Sequence, residues 1–305
     1  MGAVHRLDTT TGSFAVKRAF WQENPPEVAE ALAEREVDLV ERARGVGVRA
    51  PRPVRSRGGA VVAHDPEGVA WRVHEFAPGH VPHRSDEDAQ QWVLCCGARI
   101  HGLGLAAGPG EDVHPFYTTV DVDWADLADR AGDSSADWAP RLAARCAELA
   151  DLAAWASAAP LGPTRRCHRD LKANNTLLEP DGHRWLLDWE DAGAHDPARE
   201  VGTVLLHHVA DEGALARLAA AYGAAGGVAL PEGAGVFASG IAVWLNFLGG
   251  QIGVLLDPDA GAEHRAFATP KVRGLLDDVP DASALERCGR LAARAARDGA
   301  RTMGV

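Results

Sequence analysis

Strand-like and helix-like runs are segregated along this chain, and that segregation limits the fold more than any other feature. Runs rich in β-type residues come first. "VHRLD" (4–8) and "SFAVKR" (13–18) flank the turn-prone "TTTG", and "AVVA" (60–63) and "AWRVHEF" (70–76) follow. One helical pattern interrupts them: Pro25 and Pro26, apolar residues at 28, 32, 37, 39 and 40, then Gly45 as a stop. After "APGHVPHRSD" (77–86) the period changes. Trp92, Val93, Cys96, Ile100 and Leu103 form one helical stripe, and Leu142, Cys146, Leu149 and Leu152 form another. Past residue 196 the pattern is again mostly helical, with glycine-rich breaks at 223–235. Strands gathered before helices predict an α+β fold of two lobes, a small β-rich lobe at 1–79 of five-strand type and a larger, mainly α-helical lobe at 80–305.

With 305 residues, 46% of them hydrophobic, the chain can bury a sizeable core. It lacks any run of 18 uninterrupted apolar residues, and Arg6, Asp8, Lys17 and Arg18 break up the first twenty, so neither a membrane span nor a signal peptide is expected. The expected location is the cytoplasm. Five cysteines (95, 96, 146, 167, 288) without a C-x-x-C pair are expected to be reduced. The net charge of −12 is uneven: residues 1–80 balance 11 basic against 11 acidic residues, whereas 81–305 hold 20 against 32. An acidic second lobe argues against a nucleic-acid partner and would attract a cationic small molecule, although solubility alone also explains such charge.

Between two short strand-like stretches stands "HRDLKANN" (168–175), and Asp188 ends the apolar run "HRWLL". Transfer of a phosphoryl group from ATP to a hydroxyl needs a carboxylate to orient the acceptor and take its proton, and oxygen ligands for Mg²⁺. Asp170 supplies the first; Asn175 and Asp188 supply the others, a carboxylate and an amide carbonyl suiting a hard cation.

The spacing of "HRDLKANN" matches the H-R-D-L-x-x-x-N catalytic loop of protein kinases. The longer segment "HRDLKANNTLLEPDGHRWLLDWEDAGAHDPARE" resembles the aminoglycoside phosphotransferase and choline kinase-like family, the small-molecule branch of the protein-kinase-like fold. "LLDWED", with Trp and Glu after the metal Asp, carries that distinction. The resemblance runs loosely from residue 4 to 260. It implies that Lys17, at the end of "GSFAVK", holds nucleotide phosphates, and that Glu36 pairs with it, with Glu34 as competitor. It implies that the backbone around Glu75, Phe76 and Ala77 contacts adenine. Within the loop, Lys172 contacts the transferring phosphate or faces water, and His168 holds the loop backbone, proton transfer being the lesser alternative. Trp185 and Trp189 are read as packing residues.

Two departures from the family pattern stand out. The glycine-rich phosphate loop and the first strand are missing, with only Gly2 left of the loop, which suggests a start codon set too far downstream. In "HDPARE", His195 replaces the usual Gly and Glu200 stands where a loop-supporting Asp is expected, while Asp196 is kept as a structural or acceptor-adjacent residue. Acceptor contacts are sought among acidic residues: Glu190 and Asp191 after the metal strand, Asp196, and Asp257, Asp259 and Glu263, with the Asp-rich 121–137 stretch as one wall. The reading is an ATP- and Mg²⁺-dependent phosphotransferase acting on a small cationic molecule such as an aminoglycoside-like antibiotic. Its alternatives are a kinase of a choline-like alcohol, homoserine or a sugar, and a catalytically silent nucleotide-binding protein.

Overall fold

A computed structural model of the chain describes residues 4–18, 25–108, 110–134 and 136–302; Gly2 lies outside them. The chain packs as two compact units. The first comprises Met1–Glu111, Arg165–Ala194 and Ala224–Val228, and the second Asp112–Thr164, His195–Gly223 and Ala229–Val305.

The first unit holds an antiparallel sheet of β1 (Val4–Thr9), β2 (Gly12–Arg18), β3 (Val62–His64) and β4 (Ala70–Glu75), in the order β1-β2-β4-β3. Four strands thus stand among the described residues where five were expected. The register sets Phe14 against Glu75 and Lys17 against Arg72. Helix α1 (Pro26–Gly45) starts with a proline in its first turn, and Glu27 at that end with Arg42 and Arg44 at the other suit the two poles of its dipole. Its buried face is Ala29, Ala33, Glu36, Leu39, Val40 and Ala43. Leu39 and Val40 of the expected stripe are in it and Val37 packs at its edge, whereas Val28 and Leu32 give way to Ala29 and Ala33, because the helix lies close to the sheet where Ala33 packs with Val61, Val62 and Ala70. Asp86 caps α2 (Glu87–Gly102) through the Ala89 amide.

Two short pairings frame the "HRDLKANN" loop. β5 (Arg165–Cys167) precedes it and pairs with β8 (Gly193–His195), while β6 (Thr176–Leu178) pairs with β7 (Arg184–Leu186). Arg166 of β5 reaches Glu111 and Asp38, fastening α1 to the approach of the loop. The segment after β4 passes directly over β6, where His80 and Leu178 exchange both backbone hydrogen bonds. Gly79, at φ 125°, permits the crossing, since a Cβ there would lie 2.6 Å from the Leu178 carbonyl oxygen.

The second unit is helical: α3 (Trp124–Asp133), α4 (Ala139–Ala158), α5 (Pro197–Leu206), α6 (Glu212–Ala224), α7 (Ala238–Leu256), α8 (Ala262–Asp277) and α9 (Ala282–Thr302). By length and composition the stretch Ala234–Leu256 would cross a membrane. In the fold α7 is the helix that α3, α4, α5 and α8 pack around, with Ile241, Leu245, Leu248 and Ile252 fully buried. None of the five cysteines forms a disulfide, and burial pushes the Cys96 thiol up to about 12, which leaves it protonated and inert.

Helices α6 and α9 meet backbone to backbone. A Cβ on Gly223 would overlap the Ala296 carbonyl, and one on Gly299 would overlap that of Ala220. Backbone cannot retreat as a flexible side chain can. Gly223→Ala and Gly299→Ala should therefore each destabilise the chain by about 1–3 kcal/mol or more, overpacking outweighing the gain in helix propensity. Urea denaturation checks this: a lowered midpoint at unchanged slope is expected, and an unchanged midpoint would refute the close contact.

Candidate functional site

The residues that the sequence singles out at 168–191 converge with Lys17 and Glu36 inside the first unit. The chain reaches this arrangement through the peptide of Leu187. Its amide donates to the Asn175 carbonyl at 2.8 Å, and its carbonyl accepts from His168 Nε2 at 3.0 Å. The amide of Asp170 points at His168 Nδ1 at 3.3 Å, so the proton sits on Nε2. His168 is fully buried with both ring nitrogens on backbone and its ring against Trp189, 4.6 Å between centroids. It supports the loop and is not placed to touch an acceptor.

Two residues of the site adopt the left-handed conformation without being glycine, Arg169 at φ 67° and Asp188 at φ 62°. Arg169 is held by the Asp191 carbonyl, and its guanidinium lies on Gly193, where a Cβ would come within 2.9 Å of Cζ. Leu171 packs onto Gly97 of α2 and is 6% exposed, which seats the loop on that helix. None of these supports was read from the sequence, although Gly97 and Gly193 are the small residues that such close packing requires.

Asp170 is one-quarter exposed, and its Oδ2 is doubly held, at 2.6 Å by Asn175 Nδ2 and at 2.6 Å by Lys172 Nζ. Oδ1 takes no hydrogen bond among the described residues and is open to a donor. Because the Asn175 amide nitrogen also donates to the Asp170 carbonyl, its own oxygen is left for a cation. Asp188 accepts from Lys17 Nζ through Oδ1 at 2.9 Å, and its Oδ2 takes no hydrogen bond among the described residues. Two hard oxygens from Asn175 and Asp188 fit a hard divalent cation. Lys172 is close enough to Asp170 to screen it, and at 43% exposed it also reaches solvent.

The ion pairs around Lys17 correct one expectation. Glu36 does not serve Lys17; Arg72 takes both of its oxygens, at 2.5 and 2.7 Å, in a pair that is wholly buried. Arg72 faces inward with Ala70 on the alternating β4, directly across from Lys17. That alternation was the available signal for it. Lys17 turns instead to Asp188 and to Glu190 Oε2, the latter at 3.0 Å. Glu34, the competitor for the lysine, bonds Arg55 at the surface. Burial opposes the charge on Lys17, but the bonds to Asp188 and Glu190 raise its pKa above the usual value. Burial raises the Glu190 carboxyl more than Lys17 and Arg72 lower it, and its Oε1 is buried without a partner. Near the proposed adenine segment, Ala77 is buried, Phe76 lies under the Arg6 guanidinium at 4.5 Å, and the Glu75 amide is used by the Arg52 carbonyl.

The remaining acidic candidates lie in the second unit, apart from Asp191, which is exposed and close in sequence to the site. Asp196 is structural: its oxygens accept from the amides of Ala198, capping α5, and of Gly162. It is 7% exposed and has no oxygen to spare for an acceptor. Asp257 closes a turn on the Asp259 amide, and Asp259 and Glu263 are exposed beside it. In the Asp-rich stretch Asp123 caps α3 and Asp137 pairs with Arg273. A groove of about 670 Å³ opens there, lined by Asp121, Asp123 and Asp126, by Phe116 and Leu127, and by Asn246.

Burial alone would raise the Glu36 carboxyl, yet the His74 bond and the Arg72 charge outweigh it and hold the pKa below 4.5. A lowered carboxylate contributes stability above its unfolded value, and that stability is lost as pH falls through the folded value. Glu36→Gln should cost about 3–5 kcal/mol at neutral pH by leaving Arg72 buried with its charge uncompensated. The difference from wild type should shrink below pH 4.5. Removing both charges, Glu36→Gln with Arg72→Gln, should recover most of the loss. Urea titrations across pH check these signs, and an acid limb as steep in Glu36→Gln as in wild type would contradict them.

The model of the phosphotransferase enzyme family (APH) matches residues 3–236. Among solved structures, the chain is similar to spectinomycin phosphotransferase APH(9)-Ia in complex with ADP and spectinomycin, with a TM-score of 0.64 at 10% identity, covering 96% of this chain and 90% of that one. It is similar to an aminoglycoside phosphotransferase from Alicyclobacillus acidocaldarius, with a TM-score of 0.61 at 17% identity over 94% and 92%. It is also similar to the amicoumacin kinase hAmiN in complex with AMP-PNP, Ca²⁺ and Ami, with a TM-score of 0.57 at 16% identity over 92% and 86%. These likenesses establish the two-lobed kinase-like fold, and the family match extends over most of the sequence: the chain belongs to the phosphotransferase enzyme family.

Proposed function

We propose that the chain transfers the γ-phosphoryl group of ATP, with Mg²⁺, to a hydroxyl of a small cationic molecule, an aminoglycoside-like antibiotic being the acceptor class that best suits its charge. The observation that carries the reading is Asp170, fastened through Oδ2 by Asn175 and Lys172 while Oδ1 stays open. A carboxylate so held cannot rotate away, and its open oxygen orients an acceptor hydroxyl and takes its proton. Lys17 supplies the positive charge that phosphate oxygens require, and Asn175 and Asp188 would hold the cation. The chemistry a divalent ion supplies there is neutralisation of charge on the transferring group.

In support of nucleotide and metal use, the amicoumacin kinase of similar fold carries AMP-PNP and Ca²⁺. In support of a cationic acceptor, the groove at Asp121, Asp123 and Asp126 combines carboxylates with the apolar Phe116 and Leu127. This reading comes with a nucleotide-binding lobe at 1–79, a catalytic and acceptor-binding lobe at 80–305, a cytoplasmic location, and neither nucleic acid nor membrane as partner.

Asp170→Asn should lower kcat by about 10²- to 10⁴-fold, the range for a lost general base, without lowering the thermal midpoint. The assay is ATP consumption with Mg²⁺ over a panel of aminoglycosides, other cationic antibiotics, choline-like alcohols, homoserine and sugars. Turnover of a cationic antibiotic that the variant abolishes supports the proposal. Turnover confined to a neutral metabolite replaces the acceptor class, and a variant that keeps most of its activity removes Asp170 as base.

A further inference from the structure

We infer that Glu190, and not the helix glutamate Glu36, is the carboxylate that positions Lys17, so that the phosphate-binding lysine is steered from the strand end carrying Asp188 and not from α1. The inference rests on the phosphoryl-transfer reading above and assigns Glu190 a role other than acceptor binding.

Lys17 and Arg72 are partners in the β2–β4 register, so their side chains leave the same face of the sheet and their charges repel. Each needs its own carboxylate. Arg72 has no access to water and would be left as a bare buried charge without Glu36, whereas Lys17 is 21% exposed. The planar guanidinium also matches both carboxylate oxygens at once, which an ammonium does not. Glu36 therefore goes to Arg72, and its carboxylate is already engaged by that bidentate pair and by His74.

Lys17 is left with Asp188 at 2.9 Å and Glu190 at 3.0 Å. Asp188 is the residue that a divalent cation would share. Glu190 is the more enclosed of the two, 12% exposed against 40%, so its attraction for the ammonium is less screened by solvent. It lies two residues beyond Asp188 on one short helical turn, Trp189–Asp191, so the lysine and the cation site are set by the same piece of backbone. Helix α1, in turn, is anchored to β4 through Arg72 and places none of its carboxylates on the lysine among the described residues.

The test uses the full chain and Mg²⁺ with AMP-PNP as probe, followed by titration calorimetry, alongside steady-state kinetics in ATP. Glu190→Gln should weaken nucleotide binding by about tenfold or more and raise the KM for ATP more than it lowers kcat, at a melting temperature no lower than wild type. Glu190→Asp, which keeps the charge, should recover part of the loss. The neutralised pair Glu36→Gln with Arg72→Gln should bind the nucleotide within about threefold of wild type. Unchanged affinity in Glu190→Gln, or loss of binding in the neutralised pair as large as in Lys17→Ala, would overturn the inference while leaving phosphoryl transfer standing. A wild-type chain that binds no Mg²⁺-nucleotide would overturn the phosphoryl-transfer reading and this inference together.

Discussion

An arginine with no access to water must be paired, because the desolvation of its charge outweighs any other local preference. Arg72 is that residue, and its bidentate bond to Glu36 determines much of the first unit. It fastens α1 to β4 through one inward position on each. It also removes from circulation the carboxylate that would otherwise serve the neighbouring strand. The second cation on that sheet face, Lys17, is consequently drawn towards the segment 188–190, and the electrostatics of the site follow from this division of partners. A pairing that looks purely structural thus decides which charges meet where a nucleotide would bind.

The catalytic-loop geometry depends on a second set of supports, made almost wholly from groups that do no chemistry. The Leu187 peptide is held on both sides, by Asn175 and by His168, and Asp188 follows it in a left-handed conformation that a free chain would seldom adopt. Arg169 is held in the same region by the Asp191 carbonyl and by the space over Gly193. Strain of this kind persists only where surrounding contacts over-determine the backbone. Its effect is that Asp170, Asn175 and Asp188 present their oxygens in fixed directions, so little reorganisation is left for the moment of reaction.

In the second unit the excess of acid turns out to serve several ends at once. Asp123 and Asp196 cap helices, Asp126 and Asp137 pair with arginines, and Asp257 closes a turn. Negative charge counted along the sequence is therefore not a single field. Carboxylates that accept from backbone amides or pair with arginines are engaged by the fold itself, and Asp123 and Asp126 line the groove beside Asp121 with part of their charge already so engaged.

The loop residues were legible because their spacing is local: His168, Asp170 and Asn175 lie within one short loop, and that spacing carries its geometry with it. The α+β segregation was legible because periodicity is a property of neighbouring residues. The partner of Glu36 was not. It depends on a strand register that brings Arg72 opposite Lys17, 55 positions apart in sequence, and on a burial that only the packed helix creates. The buried face of α1 was legible at Leu39 and Val40 and misread at 28 and 32 for a related reason, since closeness to the sheet selected Ala29 and Ala33 there over the larger residues that hydrophobicity favours. Sequence by itself determined which chemical groups this protein owns and the order in which they come. Tertiary structure alone decided which of them share a low-dielectric space, because the energy of an ion pair depends on the solvent excluded around it, and that exclusion does not exist until the chain has folded.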